Sequence, residues 1–213
     1  MAKVFLFFCT MKILFKWAAI FVIPSTLFFL YLNECTSGST DSQKALFLAI
    51  HYLSAGVAVY FTLTELKKKS IETVSFMRYM ITGILSTVSH GLMFGLISGI
   101  YFNLYNPEAK QKYVDEVLTP AIIRGYDSTA NTKEEYYQHL MQGKDSGVLL
   151  PERHKEFEKA AQDSLAQVDD VIHKIAQKNF SFSGNVISWV GFAPIIGMLF
   201  SVIVTVFITK REG

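Results

Sequence analysis

Charge is scarce in this chain and unevenly placed. Only 18% of the 213 residues are Asp, Glu, Lys or Arg, against about 25% in a soluble domain. Residues 105–182 alone hold 10 Lys and Arg and 13 Asp and Glu. The rest is too poor in charge to coat a globular surface, so the pattern is one of apolar spans interrupted by a single polar region. Cysteine is nearly absent. Cys9 and Cys35 flank the first apolar run, and a helix between them holds them about 39 Å apart. A disulfide needs Cα atoms within about 7 Å, so both read as unpaired thiols, and neither lies in a CxxC or Cys/His metal pattern. The net charge of +2, with no basic cluster interleaved with aromatics, gives no footprint for nucleic acid. Also missing are HExxH, a Gly-rich phosphate loop, GxSxG and a convincing nucleophile–base pair. The chain therefore reads as no enzyme, with no metal or cofactor expected.

What is present is apolar length. A hydrocarbon core needs about 20 largely apolar residues per helix, and residues 13–32, 45–63, 76–101 and 186–209 supply four such stretches. The predicted class is all-α, a four-helix transmembrane bundle. Residues 1–104 carry three spans, 105–182 form a helical extracytoplasmic insertion, and 183–213 carry the fourth span and a tail. Trp17, Tyr31, Tyr60, Tyr101 and Trp189 fall near span ends, where aromatic belts form. The first span has a basic start, but "YLNECTSGS" offers neither a small-x-small cleavage site nor a lipidation box, so it is expected to be retained. Residues 1–10 read as an upstream extension of a natural start at Met11.

Bases beside spans stay cytoplasmic. Lys12 and Lys16 precede the first span, Lys67, Lys68, Lys69 and Arg78 separate the second and third, and Lys210 and Arg211 follow the fourth. The loop "NECTSGSTDSQ" has no base before Lys44. Four crossings put all three clusters on one side, which predicts a multi-pass protein with both termini cytoplasmic and residues 105–182 on the opposite face.

Within the third span Gly83, Thr87, Gly91, Gly95 and Gly99 recur at steps of four. In lipid, small residues let helix backbones approach closely, so this ladder predicts tight packing. Thr82, Ser86 and Ser89 form a second small, polar seam, while Ile81, Leu85, Val88, Leu92 and Leu96 make an aliphatic flank. The fourth span offers Gly191, Gly197, Ser201 and Thr205 as the complementary surface, and Pro194 is expected to bend it. Pro24 has the same potential in the first span. The ladder's partner is either this fourth span or a second copy of the chain.

His90 lies near the middle of the third span, pointing away from the aliphatic flank. An ionisable residue at such depth is a functional candidate, with Ser86 and Ser89 as its polar neighbours. The competing reading is a neutral imidazole bonded to a nearby hydroxyl or carbonyl. His51, six residues inside the second run, is expected roughly 10 Å shallower at 1.5 Å per residue, a poor co-ligand.

Residues 105–182 read as helical. A helix follows Pro107, a break is expected around Pro120 and Gly125, "KEEYYQHLM" is a short helix, and "QGKDSG" is a turn. Pro151 opens a long helix whose stripe of Phe157, Ala161, Ser164, Val168, Val171 and Ile175 either covers the shorter helices or docks a partner. His154 with Glu158, and Asp169 with His173, stand four apart, where charge pairing is a better account than metal ligation.

Two stretches, "VSFMRYMITGILSTVSHGLMFGLISGIYFNLYNPE" and "GFAPIIGMLFSVIVTVFITKRE", resemble a family of small integral membrane proteins, mainly from Bacteroidota, defined as domain of unknown function DUF4199. The resemblance implies a bacterial inner-membrane protein on this plan and carries no activity or site residue with it. The resulting expectation is a structural or interaction subunit of an envelope complex, its partners being the lipid bilayer and either further copies of itself or another membrane protein. The alternative is a small oligomeric transporter or channel with His90 and the Thr82–Ser86–Ser89 seam lining the path.

Overall fold

The computed structural model describes residues 2–34, 41–70, 74–142 and 151–210. They are helical apart from short connections, with no strand among them, so the fold is all-α. The pairing of Cys9 with Cys35, the turn after Gln142 and Arg211 lie outside the described residues. Two compact units emerge, Met1–Ile100 with Asn185–Gly213, and Tyr101–Gly184.

The first unit contains α1 (Ala2–Glu34), α2 (Asp41–Lys69), α3 (Phe76–Ile100) and most of a broken fourth rod, α8 (Phe182–Gly191) and α9 (Ala193–Lys210). Four stretches are long and apolar enough to cross a membrane: Thr10–Glu34, Ser42–Lys69, Phe76–Tyr105 and Phe182–Ile208. Each contains or nearly contains its predicted run and adds polar ends. In α2 the last turn holds Lys67, Lys68 and Lys69, which suit the negative end of the helix dipole. The fourth rod breaks at Phe192, between α8 and α9. Pro194 has no N–H to donate and its ring clashes with the carbonyl four residues back. Pro24, by contrast, sits inside an unbroken α1.

Helix α3 packs on α1, α2 and α9, and α2 also packs on α1 and α9. The glycine ladder meets the fourth rod within one chain. A methyl carbon at Gly95 would stand 2.8 Å from Cα of Val186, and one at Gly91 would stand 2.6 Å from the Trp189 carbonyl oxygen. In return, one at Gly197 would stand 2.7 Å from Cα of Ile84. Gly83 faces Ser201, and Gly99 is buried. Gly191 does not belong to this set. It ends α8 at the kink, is exposed, and a methyl there meets nothing within 4 Å. Gly56, which no motif marked, accommodates the Phe200 ring.

The second seam is closed as well. Thr82, Ser86 and Ser89 are buried, and Ser86 Oγ lies 3.2 Å from Thr62 Oγ1 of α2. Ser25 and Ser54 join α1 to α2 at 2.7 Å. Such interhelical bonds contribute about 0.6 kcal/mol each on average in a membrane protein. The aliphatic flank splits, with Ile81 and Leu85 exposed and Val88, Leu92 and Leu96 half-buried.

The second unit begins with a π-helical turn, Tyr101–Tyr105, four residues before the predicted boundary. Its Phe102 ring packs edge-on to Phe180 at 5.2 Å, which ties this turn to the unit's last helix. Then come α4 (Pro107–Tyr113), a π turn (Val114–Leu118), α5 (Thr119–Tyr126), α6 (Lys133–Gln142) and α7 (Pro151–Phe180). The side chain of Asn106 caps α4 by accepting from the Ala109 N–H at 3.0 Å. No break occurs at Pro120, because the proline occupies the first turn of α5, where its missing N–H costs nothing. The chain leaves the helix only at Asp127. The stripe on α7 is a core rather than a docking face: Ala161 and Val168 are buried, and α5, α6 and the second π turn pack against the helix.

Candidate functional site

The bundle interior brings together two histidines that sequence distance kept apart. His90 is 1% exposed and His51 3%, and their ring centroids are 5.0 Å apart. The expected 10 Å offset in depth is wrong. Helix α2 starts at Asp41 rather than at the edge of the apolar run, and it lies antiparallel to α3 with Phe47 beside Phe94 at 5.7 Å. In that register His51 and His90 share a level. A sequence signal for this exists: "FLAIH" at 47–51 and "HGLMF" at 90–94 are reversed copies of one Phe/His spacing. Antiparallel neighbours bring such a pair into coincidence.

Neither ring nitrogen of His90, nor Nδ1 of His51, has a hydrogen-bond partner among the described residues. The expected bond from His90 to a neighbouring hydroxyl or carbonyl is therefore not made. The nearby hydroxyls are engaged elsewhere. Ser86 faces Thr62, Ser54 faces Ser25, and Thr87 Oγ1 donates to the Ala193 carbonyl at 2.7 Å, holding α3 to the start of α9. Leaving a buried polar atom unsatisfied costs about 1–3 kcal/mol.

Around the imidazoles stands an aromatic collar. His51 lies 4.8 Å from Phe94 and 4.7 Å from Trp189, and Phe94 and Trp189 meet edge-on at 4.7 Å. Trp189, which the sequence assigned to an interfacial belt, is half-buried and packs on these interior rings. The glycine ladder makes this possible, since Gly91 admits the Trp189 backbone against α3.

A half-open cavity of about 220 Å³ is bordered by His51, His90, Thr87 and Trp189. Leu48 and Phe192, 41% and 65% exposed, lie at its edge. Ser86 and Ser89 do not border it. A neutral imidazole presents one donor and one acceptor, so the two rings together can grip a small polar group in apolar surroundings. Among the described residues no group of three His, Cys, Asp or Glu side chains converges here or elsewhere.

One end of the same unit carries a polar cluster. Glu65 accepts from Trp17 Nε1 at 2.6 Å and pairs with Lys16 at 3.0 Å and Lys69 at 2.6 Å. In the second unit His173 lies 2.8 Å from Gln177, and Asp169 pairs with Lys133. The strongest constellation there is one that spacing did not mark. Asp127 accepts from Thr129 Oγ1 at 2.7 Å and from the Thr129 N–H at 2.9 Å, and meets His139 at 2.7 Å. The two Thr129 bonds, then His139, lower its carboxyl to about 2.

Against known proteins, no family model, no curated protein and no solved structure matches the chain.

Proposed function

We propose that this chain is a multi-pass protein of the bacterial inner membrane that holds a small ligand within the bilayer, between His51 and His90. The carrying observation is the trio of buried, unpartnered imidazole nitrogens beside a cavity, in a bundle where Ser25, Ser54, Thr62 and Ser86 are paired across helices. Unsatisfied buried groups in a native protein call for a guest or ordered water. The role is read as binding rather than catalysis, since no carboxylate borders the cavity to orient an imidazole against Ser188, and the Thr87 hydroxyl is held by the Ala193 carbonyl. The test is native mass spectrometry of protein extracted in mild detergent. A retained small-molecule mass on the wild type, lost in His90→Leu, supports the reading; a bare chain in both overturns it.

The orientation belongs to the same proposal: both termini cytoplasmic, Tyr101–Gly184 extracytoplasmic. It is supported by Lys16, Lys67, Lys68 and Lys69, which gather about the Glu65 end of the bundle. Tags at the amino end and near Asp145 that label from one compartment would refute it. Kinship with the DUF4199 family is proposed on the two quoted stretches alone.

A second reading, a structural or interaction subunit of an envelope complex, has the closed seams in its favour. Of the hydroxyls on the alternative transport path, Ser86 is bonded to Thr62, and Thr82 and Ser89 lie buried away from the cavity. Cross-linking in native membranes that returns no stoichiometric partner, self or other, would sink it.

A further inference from the structure

We propose that the ligand of the His51–His90 cavity is a lipid-borne aromatic ring bearing oxygen substituents, of the quinone or hydroquinone class. This rests on the intramembrane site above and specifies its occupant.

Four features converge on that chemistry. The first is size. A cavity of about 150 Å³ in an apolar protein core takes up benzene, and this one, at about 220 Å³, suits a ring with substituents. The second is shape and polarity. Tyr52 and Trp189 border the cavity, and Phe94 stands behind them against His51. Flat aromatic faces of this kind pack on a ring in offset or edge-on contact.

The third is hydrogen bonding. His90, almost wholly buried, borders the cavity, and both its nitrogens are unpartnered and closed to water, so that a turn of the ring is what presents one to the guest. A quinone carbonyl accepts from an imidazole N–H, and a hydroquinone hydroxyl donates to the bare nitrogen or accepts from the protonated one. The pair of rings can therefore serve both forms. An alkyl chain would leave these nitrogens unsatisfied. A phosphate head group is equally mismatched, because no Lys or Arg borders the cavity.

The fourth is access. Leu48 and Phe192, exposed and apolar, flank the opening, and Phe192 is the residue at which the fourth rod breaks. With the bundle in a bilayer, that opening faces acyl chains. The guest then arrives from the lipid phase and leaves its tail there.

The test uses the full-length protein in detergent with Trp17→Phe, which leaves Trp189 as the sole indole, and decylubiquinone as the probe. Trp189 fluorescence is expected to fall saturably. Half-saturation should rise at least tenfold in His90→Leu and also in Ser188→Phe, which narrows the cavity from an exposed position without touching either histidine. Because the second variant alters a surface residue, it keeps the test decisive if the first fails to fold. Linear quenching, the same in all three proteins, would mean partition into the micelle and overturn the proposal. Displacement of the probe by decanol at equal concentration would also overturn it, while leaving an intramembrane site standing. No saturable response to the probe, together with no retained mass in the earlier experiment, would remove both.

Discussion

The two units solve opposite packing problems. In Met1–Ile100 with Asn185–Gly213, the buried positions include Ser25, Thr62, Ser86, Thr87 and two histidines, while Leu27, Ile195, Ile203 and Phe207 are half or more exposed. In Tyr101–Gly184 no Ser, Thr, Asn or His among the described residues is buried. Ile123, Ala130 and Val168 are fully buried, and ion pairs such as Lys174–Asp170 lie outside. One polypeptide thus follows two burial rules. Water drives apolar groups inward, whereas acyl chains are as apolar as leucine and give helices no such reason to associate. Close backbone approach over small residues does that work instead, and the polar side chains go where they can bond across helices.

The largest effect should come from breaking the small-residue seam. Leucine at Gly95 has Cα of Val186 in its way, and backbone cannot step aside as a side chain can. Overpacking a core costs about 1–3 kcal/mol when side chains can adjust, so Gly95→Leu is expected to exceed that range and abolish a monodisperse detergent peak. Gly191→Leu, in open space on the same bundle, should elute and melt like the wild type. Equal behaviour of the two would mean that the seam is not tightly closed.

Next in size is a matched pair of truncations, one for each rule. Ile123 is fully buried in the polar unit, and Ile203 is 50% exposed on α9. Ile123→Ala is expected to destabilise its unit by about 2–5 kcal/mol. Ile203→Ala removes atoms that face solvent or detergent and should cost well under about 1 kcal/mol. Differential scanning fluorimetry with a hydrogen-exchange readout assigns each loss to its unit. Comparable losses at both sites would show that the exposed α9 face is covered, which a partner subunit would do.

How much of this was visible in the residues follows from the same contrast. Apolar length locates the four rods, Pro194 locates the break, and the steps of four locate the α3 seam, because each is a property of one helix. Gly191 was misassigned because its spacing says nothing of the kink that turns it outward. The site was hidden for a related reason. His51 meets His90 only once two helices are set in register, and counting depth from the edge of an apolar run ignores the polar turn from Asp41 that lengthens α2. In the second unit Pro120 looked like a stop, since sequence does not reveal that a π turn ends just before it and frees the first-turn position. Asp127 and His139 were likewise separate until α6 folded back.

That last pair supports the smallest prediction, and the sign of its pH dependence is fixed by chemistry. Asp127 is half-buried, and its bonds to Thr129 and His139 act locally on the link between α5 and α6. Its carboxyl is lowered to about 2, so the folded arrangement favours the ionised form. A depressed carboxyl contributes in full above the ordinary carboxylate range and loses that contribution as pH falls towards its folded value. Asp127→Ala should therefore speed amide exchange over residues 127–135 severalfold at pH 6. Between pH 4 and about 2, where the wild-type carboxylate takes up its proton, the two proteins should converge. A difference that persists unchanged to the lowest pH would assign the stiffness of this link to the uncharged contacts of the Asp127 side chain with Thr129, and not to its charge.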